Sequence, residues 1–307
     1  MAIPVIHAAR YRIDIGSHVL PTNKYQLIID RLLESGVVRQ SDIFEPAPAS
    51  WTDLALVHTS EYLQKLREGS LTIEDLAQLE LPWSTELVEA FRTMVGGTIL
   101  AARIACGFSS FEPSGFRAAC HVGGGLHHAF PNHGEGFCPF NDVAVAVRVL
   151  QGLGVERHAI VDLDVHHGNG TAFIFECDPR VYTLSIHQQY NYPMWKPRGS
   201  RDIGLPDGVH DATYLRELER ALPDVLAHRP DCVFYLAGAD PFEDDQLGGL
   251  RLTKDGLRRR DRMVVAAVSD AGVRLVVVLA GGYARNVEDT VEIHCGTVEE
   301  VLTRSLG

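Results

Sequence analysis

The chain has 307 residues, 46% of them hydrophobic and 22% charged, a balance that supplies a packed core and excludes a disordered chain. Its formal net charge of -12 argues against a nucleic-acid partner and mildly favours a cationic substrate. No apolar run approaches membrane-spanning length and no secretory leader is legible, so the expectation is a cytoplasmic enzyme with no membrane partner. Taken in chain order, the first apolar stretch, around Val5, reads as a strand. A polar loop follows, then a helix capped near Thr22 and stopped at Gly36. Residues 55–69 read as a second strand running into a helix, with Thr59 or Ser60 as its cap. After Pro82 and Trp83 comes a long helix over residues 85–106, whose Gly96-Gly97 pair marks close packing. From residue 117 a rhythm sets in. Apolar strands over 117–125, 158–165, 180–187, 231–240 and 274–283 alternate with helices over 141–153, 170–177, 212–228, 253–271 and 286–302. Such strands indicate an α/β fold, a mostly parallel sheet covered by helices on both faces, in one domain over residues 1–307. The six cysteines lack CxxC spacing and read as reduced and mostly buried.

The polar exceptions collect at the carboxyl ends of the last five strands, at residues 123–128, 162–169, 185–187, 240 and 281–283. Ligands of open α/β sheets bind there. Residues 159–171, AIVDLDVHHGNGT, read as a buried strand running out into glycines. Asp162, Asp164 and His166 fall at i, i+2 and i+4, and a two-residue side-chain period turns all three the same way. That grouping requires a cation or a shared proton unless the strand end is simply a solvated acidic one. Asp240 follows the buried run LAGAD and supplies a third ligand, while Glu243, Asp244 and Asp245 read as solvated. Asp164, His166 and Asp240 then leave one position open, the arrangement of a catalytic zinc, and iron(II) or cobalt(II) would tolerate the same set. His127 and His128 follow three glycines and read as a general base and a general acid. Asp162 suits one imidazole as its orienting partner and neutral Asn169 the other, which makes the ring beside Asp162 the more basic. Tyr283, after Gly281-Gly282, can donate to a developing oxyanion, and Phe137 can wall a narrow channel. His133, His167 and His187 have no assignable partner and read as structural.

In this order, GGGLHHAF, GFCPFND, DLDVHHGNG, LAGAD and GGY resemble the zinc-dependent histone deacetylase family, over residues 5–301. ALVHTSEYL, the GGT at residues 96–98 and DQLGGL at residues 245–250 are similar to its class IV branch and bacterial relatives. The resemblance implies the three-layer arginase/deacetylase fold and hydrolysis of an N-acyl-lysine amide. It implies zinc on Asp164, His166 and Asp240, proton transfer by His127 and His128, Tyr283 on the substrate carbonyl and Phe137 in the channel. It further implies a structural K+ on Asp162, Asp164, His166, Ser185 and Ile186, largely through backbone carbonyls. Two departures bear on substrate. Leu126 stands where the family often has a large aromatic, and residues 188–211 do not match the corresponding loop of the class I enzymes. By register the second channel wall is Tyr192, with Gly125 and Leu126 at the inner end, where leucine leaves volume for acyl groups longer than acetyl. The expected substrate is an acyl-lysine peptide or protein. An acylpolyamine is the alternative, since both present a cationic amine on an alkyl arm. An arginase-like dimanganese site would need a carboxylate where Gly168 stands. A non-catalytic acyl-lysine reader would have lost the tyrosine, a ligand or the histidine pair, and all are present.

Overall fold

A computed structural model describes residues 3–109 and 117–305. Its strands are β1 (Val5–Ile6), β2 (Ile43–Phe44), β3 (Ala118–His121), β4 (His158–Asp162), β5 (Val181–Gln188), β6 (Arg201–Leu205), β7 (Cys232–Leu236) and β8 (Arg274–Val278). They form one sheet in the order β2-β1-β3-β8-β7-β4-β5-β6, with every neighbouring pair parallel. The central strands are buried along their length, as their largely apolar sequences require. Edge strand β6, RDIGL, instead alternates exposed and half-buried residues.

The helices are α1 (Lys24–Glu34), α2 (Trp51–Leu54), α3 (Ser60–Glu68), α4 (Ile73–Leu79), α5 (Thr85–Ala105), α6 (Asp142–Gly152), α7 (Asn169–Phe175), α8 (Asp211–Ala227), α9 (Lys254–Asp270) and α10 (Val287–Ser305). They surround the sheet: α5 packs on β1, β3, β8 and α6, while α8 and α9 pack on β5 and β8 and α9 meets α10. Thr59 caps α3, its side chain accepting from Tyr62 N, and Gly69 ends that helix in the left-handed region. Among the described residues no helix is long and apolar enough to cross a membrane. All six cysteines are unpaired, and only Cys177 is exposed.

Three features depart from the sequence expectation. Residues 55–58 form turns rather than a strand, because Ser50 and Asp53 cap α2 just upstream and its last carbonyls still hold the chain, His58 N reaching Leu54 O at 2.9 Å. Short β2, edge β6 and α4 carry too little periodicity to be read from sequence. Finally, β4 stops at Asp162, so Asp164 and His166 stand in the loop beyond it rather than along one strand face.

The topology decides where those loops meet. From β4 the chain steps outward through β5 to β6, then returns to set β7 on the other side of β4. The loops after β4 and β7 therefore lie side by side at a switch in strand order, the usual ligand crevice of such sheets. Arg260 of α9 ties them from beneath. Fully buried, it donates from Nη1 to Gly238 O (2.6 Å) and Leu163 O (3.3 Å), and from Nε to Asp261 Oδ1 (2.9 Å). Asp261 also accepts from Tyr235 Oη and from Thr297 Oγ1. Asp261→Ala should leave that guanidinium uncompensated, and breaking a buried pair costs about 3–5 kcal/mol. Urea unfolding should show the loss as a lower midpoint at unchanged slope. A shift below about 1 kcal/mol, the range of exposed pairs, would mean that the two carbonyls neutralise Arg260 unaided.

Candidate active site

Beyond β3 the chain turns through Gly124 and Gly125, and Asp142 at the start of α6 fixes that turn. Its carboxylate accepts from Leu126 N (2.7 Å), Gly125 N (3.1 Å) and Thr98 Oγ1 (2.5 Å). The next two residues, His127 and His128, are thereby delivered buried to the carboxyl end of the sheet. His127 Nδ1 lies 2.7 Å from Asp162 Oδ2, and His128 Nδ1 lies 2.7 Å from Asn169 Oδ1. The two Nε2 atoms are 3.1 Å apart. Burial disfavours a cation on either ring. At His127 the carboxylates of Asp162 and Asp164 outweigh burial and raise the pKa to about 9. At His128 burial is reinforced by the neighbouring His127 and His166, and the ring is held neutral, well below its ordinary range.

Asp164, His166 and Asp240 each offer a ligand atom within 4.8 Å of the others. His166 Nδ1 sits 3.0 Å from Asp164 Oδ1 and 3.4 Å from Asp240 Oδ2. Asp240 is fully buried; its Oδ1 accepts from Val165 N at 2.9 Å, while Oδ2 has no hydrogen-bond partner. Burial and the adjacent Asp164 push its carboxyl up to about 7. Two buried carboxylates around one imidazole, with an oxygen left over, are a donor set that fits a divalent cation. Asp162 stands outside this trio, on His127. A Cβ at Gly281 would come 2.0 Å from Asp240 Oδ2 and 2.5 Å from Asp164 Oδ2, so only glycine lets the β8 loop approach. A Cβ at Gly168 would come 2.4 Å from Asp162 Oδ2, which leaves no room for the second-metal carboxylate of an arginase-like site.

Tyr283 completes the pocket. Its backbone N donates to Asp245 Oδ2 (2.7 Å), and Gln246 Nε2 donates to its carbonyl (2.9 Å). Burial, then Asp164 and Asp240, raise its pKa well above the ordinary value, so the hydroxyl keeps its proton. Asp245 is thus buried and structural, not solvated as expected; it also accepts from Leu247 N and Gly248 N, a role that follows from the chain folding back on itself. Glu243 and Asp244 are exposed. Lys24, which nothing in the sequence singled out, is buried beneath the same loop. Its Nζ donates to Ala280 O (3.2 Å) and Gly282 O (3.4 Å) and lies 5.5 Å from the Tyr283 ring centroid.

An outer cavity of about 160 Å³ leads in, lined by Glu80, Phe137, Tyr192 and Leu247, and reaches His128, His166 and Tyr283. Phe137 takes φ 66° after Gly136 at φ 51°, a tight turn that aims its ring at the channel, 6.0 Å from the ring of Tyr283. Gly125 and Leu126 line an inner cavity of about 30 Å³ together with Leu20, Tyr25 and Phe91. At ~10–15 Å³ per water, that space suits a methyl or ethyl group. Leucine at 126 alone pointed to a larger space; Phe91, Tyr25 and Leu20 also bound this one, which is continuous with the histidine pair and Tyr283. Ser185 and Ile186 are buried on β5, with Ser185 opposite Asp162 in the strand register. The three unassigned histidines do have partners: His133 with Glu135, His167 with Asp202 and His187 with Ser185.

Residues 18–298 match the histone deacetylase domain. The chain belongs to the histone deacetylase family. A relative from Picosynechococcus sp., an uncharacterised protein, is 42% identical over 297 residues, 96% of each chain. Histone deacetylase 2 of Arabidopsis thaliana is 31% identical over 310 residues, covering 94% of this chain and 78% of its own. An HDAC homologue from Aquifex aeolicus superposes with a TM-score of 0.81 at 22% identity, over 99% of this chain and 84% of that one, a likeness of fold. The span matched to the deacetylase domain takes in the histidine pair, the loop after β4, Asp240 and Tyr283. The deacetylase family is one of hydrolases, and the α/β architecture expected from the sequence is its fold.

Proposed function

We propose that this chain is a metal-dependent hydrolase of N-acyl-lysine amides. One observation carries the reading: Asp164, His166 and Asp240 converge, and Asp164 and His166 line the same pocket as both histidines of the pair and Tyr283. Zinc, with iron(II) or cobalt(II) as substitutes, would be held by those three residues and would supply a Lewis acid for water and the acyl carbonyl. His128, neutral and fixed through Nδ1 by Asn169, offers Nε2 as the general base. His127, kept cationic by Asp162, holds a proton for the leaving amine. The Tyr283 hydroxyl donates to the oxyanion. Phe137 and Tyr192 flank the alkyl arm and exclude water. We further assign a structural K+ to Asp162, Asp164, His166, Ser185 and Ile186; the pairing of Asp162 with Ser185 supports it. We read residues 1–307 as one catalytic domain, supported by the single sheet.

Glu80 favours a second reading of the substrate. It sits at the channel mouth with φ 58°, where its carboxylate could meet the distal ammonium of an acylpolyamine. Zinc-loaded protein assayed with acetyl-lysine peptides and with acetylputrescine separates the two. The first reading requires the higher kcat/KM on the peptides, and silence on both would end the deacylase assignment.

Acyl length follows from the inner cavity. The parent should be fastest on acetyl or propionyl substrates. Leu126→Ala should move the optimum to longer chains, each added buried methylene contributing about 0.8 kcal/mol, or roughly fourfold. Comparing kcat/KM across acetyl, butyryl and octanoyl peptides for both proteins checks this. An unchanged length profile in Leu126→Ala would show that position 126 does not bound the acyl group.

A further inference from the structure

Glu135 lies in the tight turn that presents Phe137, and neither the proton-transfer scheme nor the metal cluster uses it. The turn is rigid. Glu135 N donates to Cys138 O (3.2 Å) and Cys138 N to Glu135 O (2.9 Å), while Gly136 N and Phe137 N donate to the last carbonyls of α4, on Gln78 and Leu79. The Glu135 side chain is only 13% exposed and points inward. Its Oε1 accepts from Asn169 Nδ2 at 2.6 Å and from Tyr192 Oη at 3.1 Å. Its Oε2 accepts from Gln78 Nε2 at 3.1 Å, with His133 Nε2 at 3.4 Å. The donors around this carboxylate, Asn169, Tyr192 and Gln78 among them, favour its anionic form over the opposing effect of burial.

The consequence lies one residue away. Asn169 can face His128 with either its oxygen or its NH2, and the choice decides the imidazole tautomer. Oxygen toward His128 Nδ1 requires the proton on Nδ1 and leaves Nε2 bare. The flipped amide would donate to Nδ1 and drive the proton onto Nε2, against His127 Nε2 only 3.1 Å away. An ionised carboxylate accepts and never donates, so Glu135 admits only the NH2 on its side. That forces the oxygen toward His128. We propose that Glu135 is a positioning residue that sets the tautomer of His128 through Asn169, and that it fastens the channel wall at Tyr192 to the same carboxylate oxygen. His127 thus meets a carboxylate directly, whereas His128 meets one only through an amide. The pair is thereby divided into a charged ring and a neutral ring with Nε2 free. The role rests on the deacylase reading for its catalytic meaning, but the tautomer itself does not.

The test uses zinc-loaded protein with 15N-labelled histidine, the His128 signals being assigned by their absence from His128→Ala. Long-range 1H–15N spectra of the parent should show His128 protonated on Nδ1 alone. Glu135→Ala should show a mixture with the Nε2 form and lower kcat roughly tenfold or more, the scale of one charge-assisted hydrogen bond. In an Asn169→Ala background the same change should cost less than about threefold, because the two residues act in series. If Glu135→Ala does not fold, Glu135→Met, which keeps the volume without an acceptor, is read instead. A parental His128 tautomer in these variants, or losses that multiply in full in the double variant, would overturn the proposal. Inactivity of the parent toward every acyl amide would sink the deacylase reading while leaving the tautomer result standing.

Discussion

Asp240→Ala should remove metal and activity together while leaving the sheet intact. Asp240 is fully buried and contributes to the site twice: Oδ2 faces His166, and Oδ1 accepts from Val165 N, in the loop between the other two ligands. The variant loses a ligand and loosens the segment that carries the remaining pair. Two ligands fall short of the three that hold a catalytic metal, so the loss should exceed the ~10–100-fold that outer-partner substitutions bring. Elemental analysis after dialysis, with kcat/KM on an acetyl-lysine peptide, reads both effects. Full metal occupancy in the folded variant would show that Asp240 is not a ligand.

The second large effect is expected at Tyr283. Tyr283→Phe keeps the ring, and with it the contact to Phe137 and the position above Lys24. The backbone anchor to Asp245 is also kept. Only the hydroxyl goes. With metal retained, kcat should fall by roughly 10²–10³, the loss typical of one oxyanion donor. Near-parental turnover in the metal-loaded variant would mean that this tyrosine is packing alone.

How much of this was legible in the sequence depended on whether a residue acts locally or across the fold. The apolar strands and their polar ends carry a local signal, so the central sheet could be read from residue types, as could a carboxylate partner for one histidine of the pair and an amide for the other; which ring takes which comes from the fold. The convergence of Asp164, His166 and Asp240 was legible as well, although the period-two pattern misled in detail: β4 ends at Asp162, and Asp164 and His166 reach their places on a loop. What the sequence concealed were long-range partners. Lys24 supports the carbonyls of Ala280 and Gly282 from more than 250 positions away, Asp142 holds the turn before the histidine pair, and Arg260 links two loops from below. No local spacing announces such contacts. Asp245 was misread for a related reason, since an acid in a run of acids reads as solvated unless the loop's return is known. The volume beside Leu126 likewise depends on Phe91, Tyr25 and Leu20, which reach it from distant segments.

The central claim is hydrolysis that depends on one divalent cation held by Asp164, His166 and Asp240. Titration of zinc into chelator-stripped protein, with acetate release from an acetyl-lysine peptide as the readout, tests it most directly. Activity should be absent without metal, rise linearly and level off at one equivalent per chain. A plateau at two equivalents, or acetate release by the stripped protein, would contradict it.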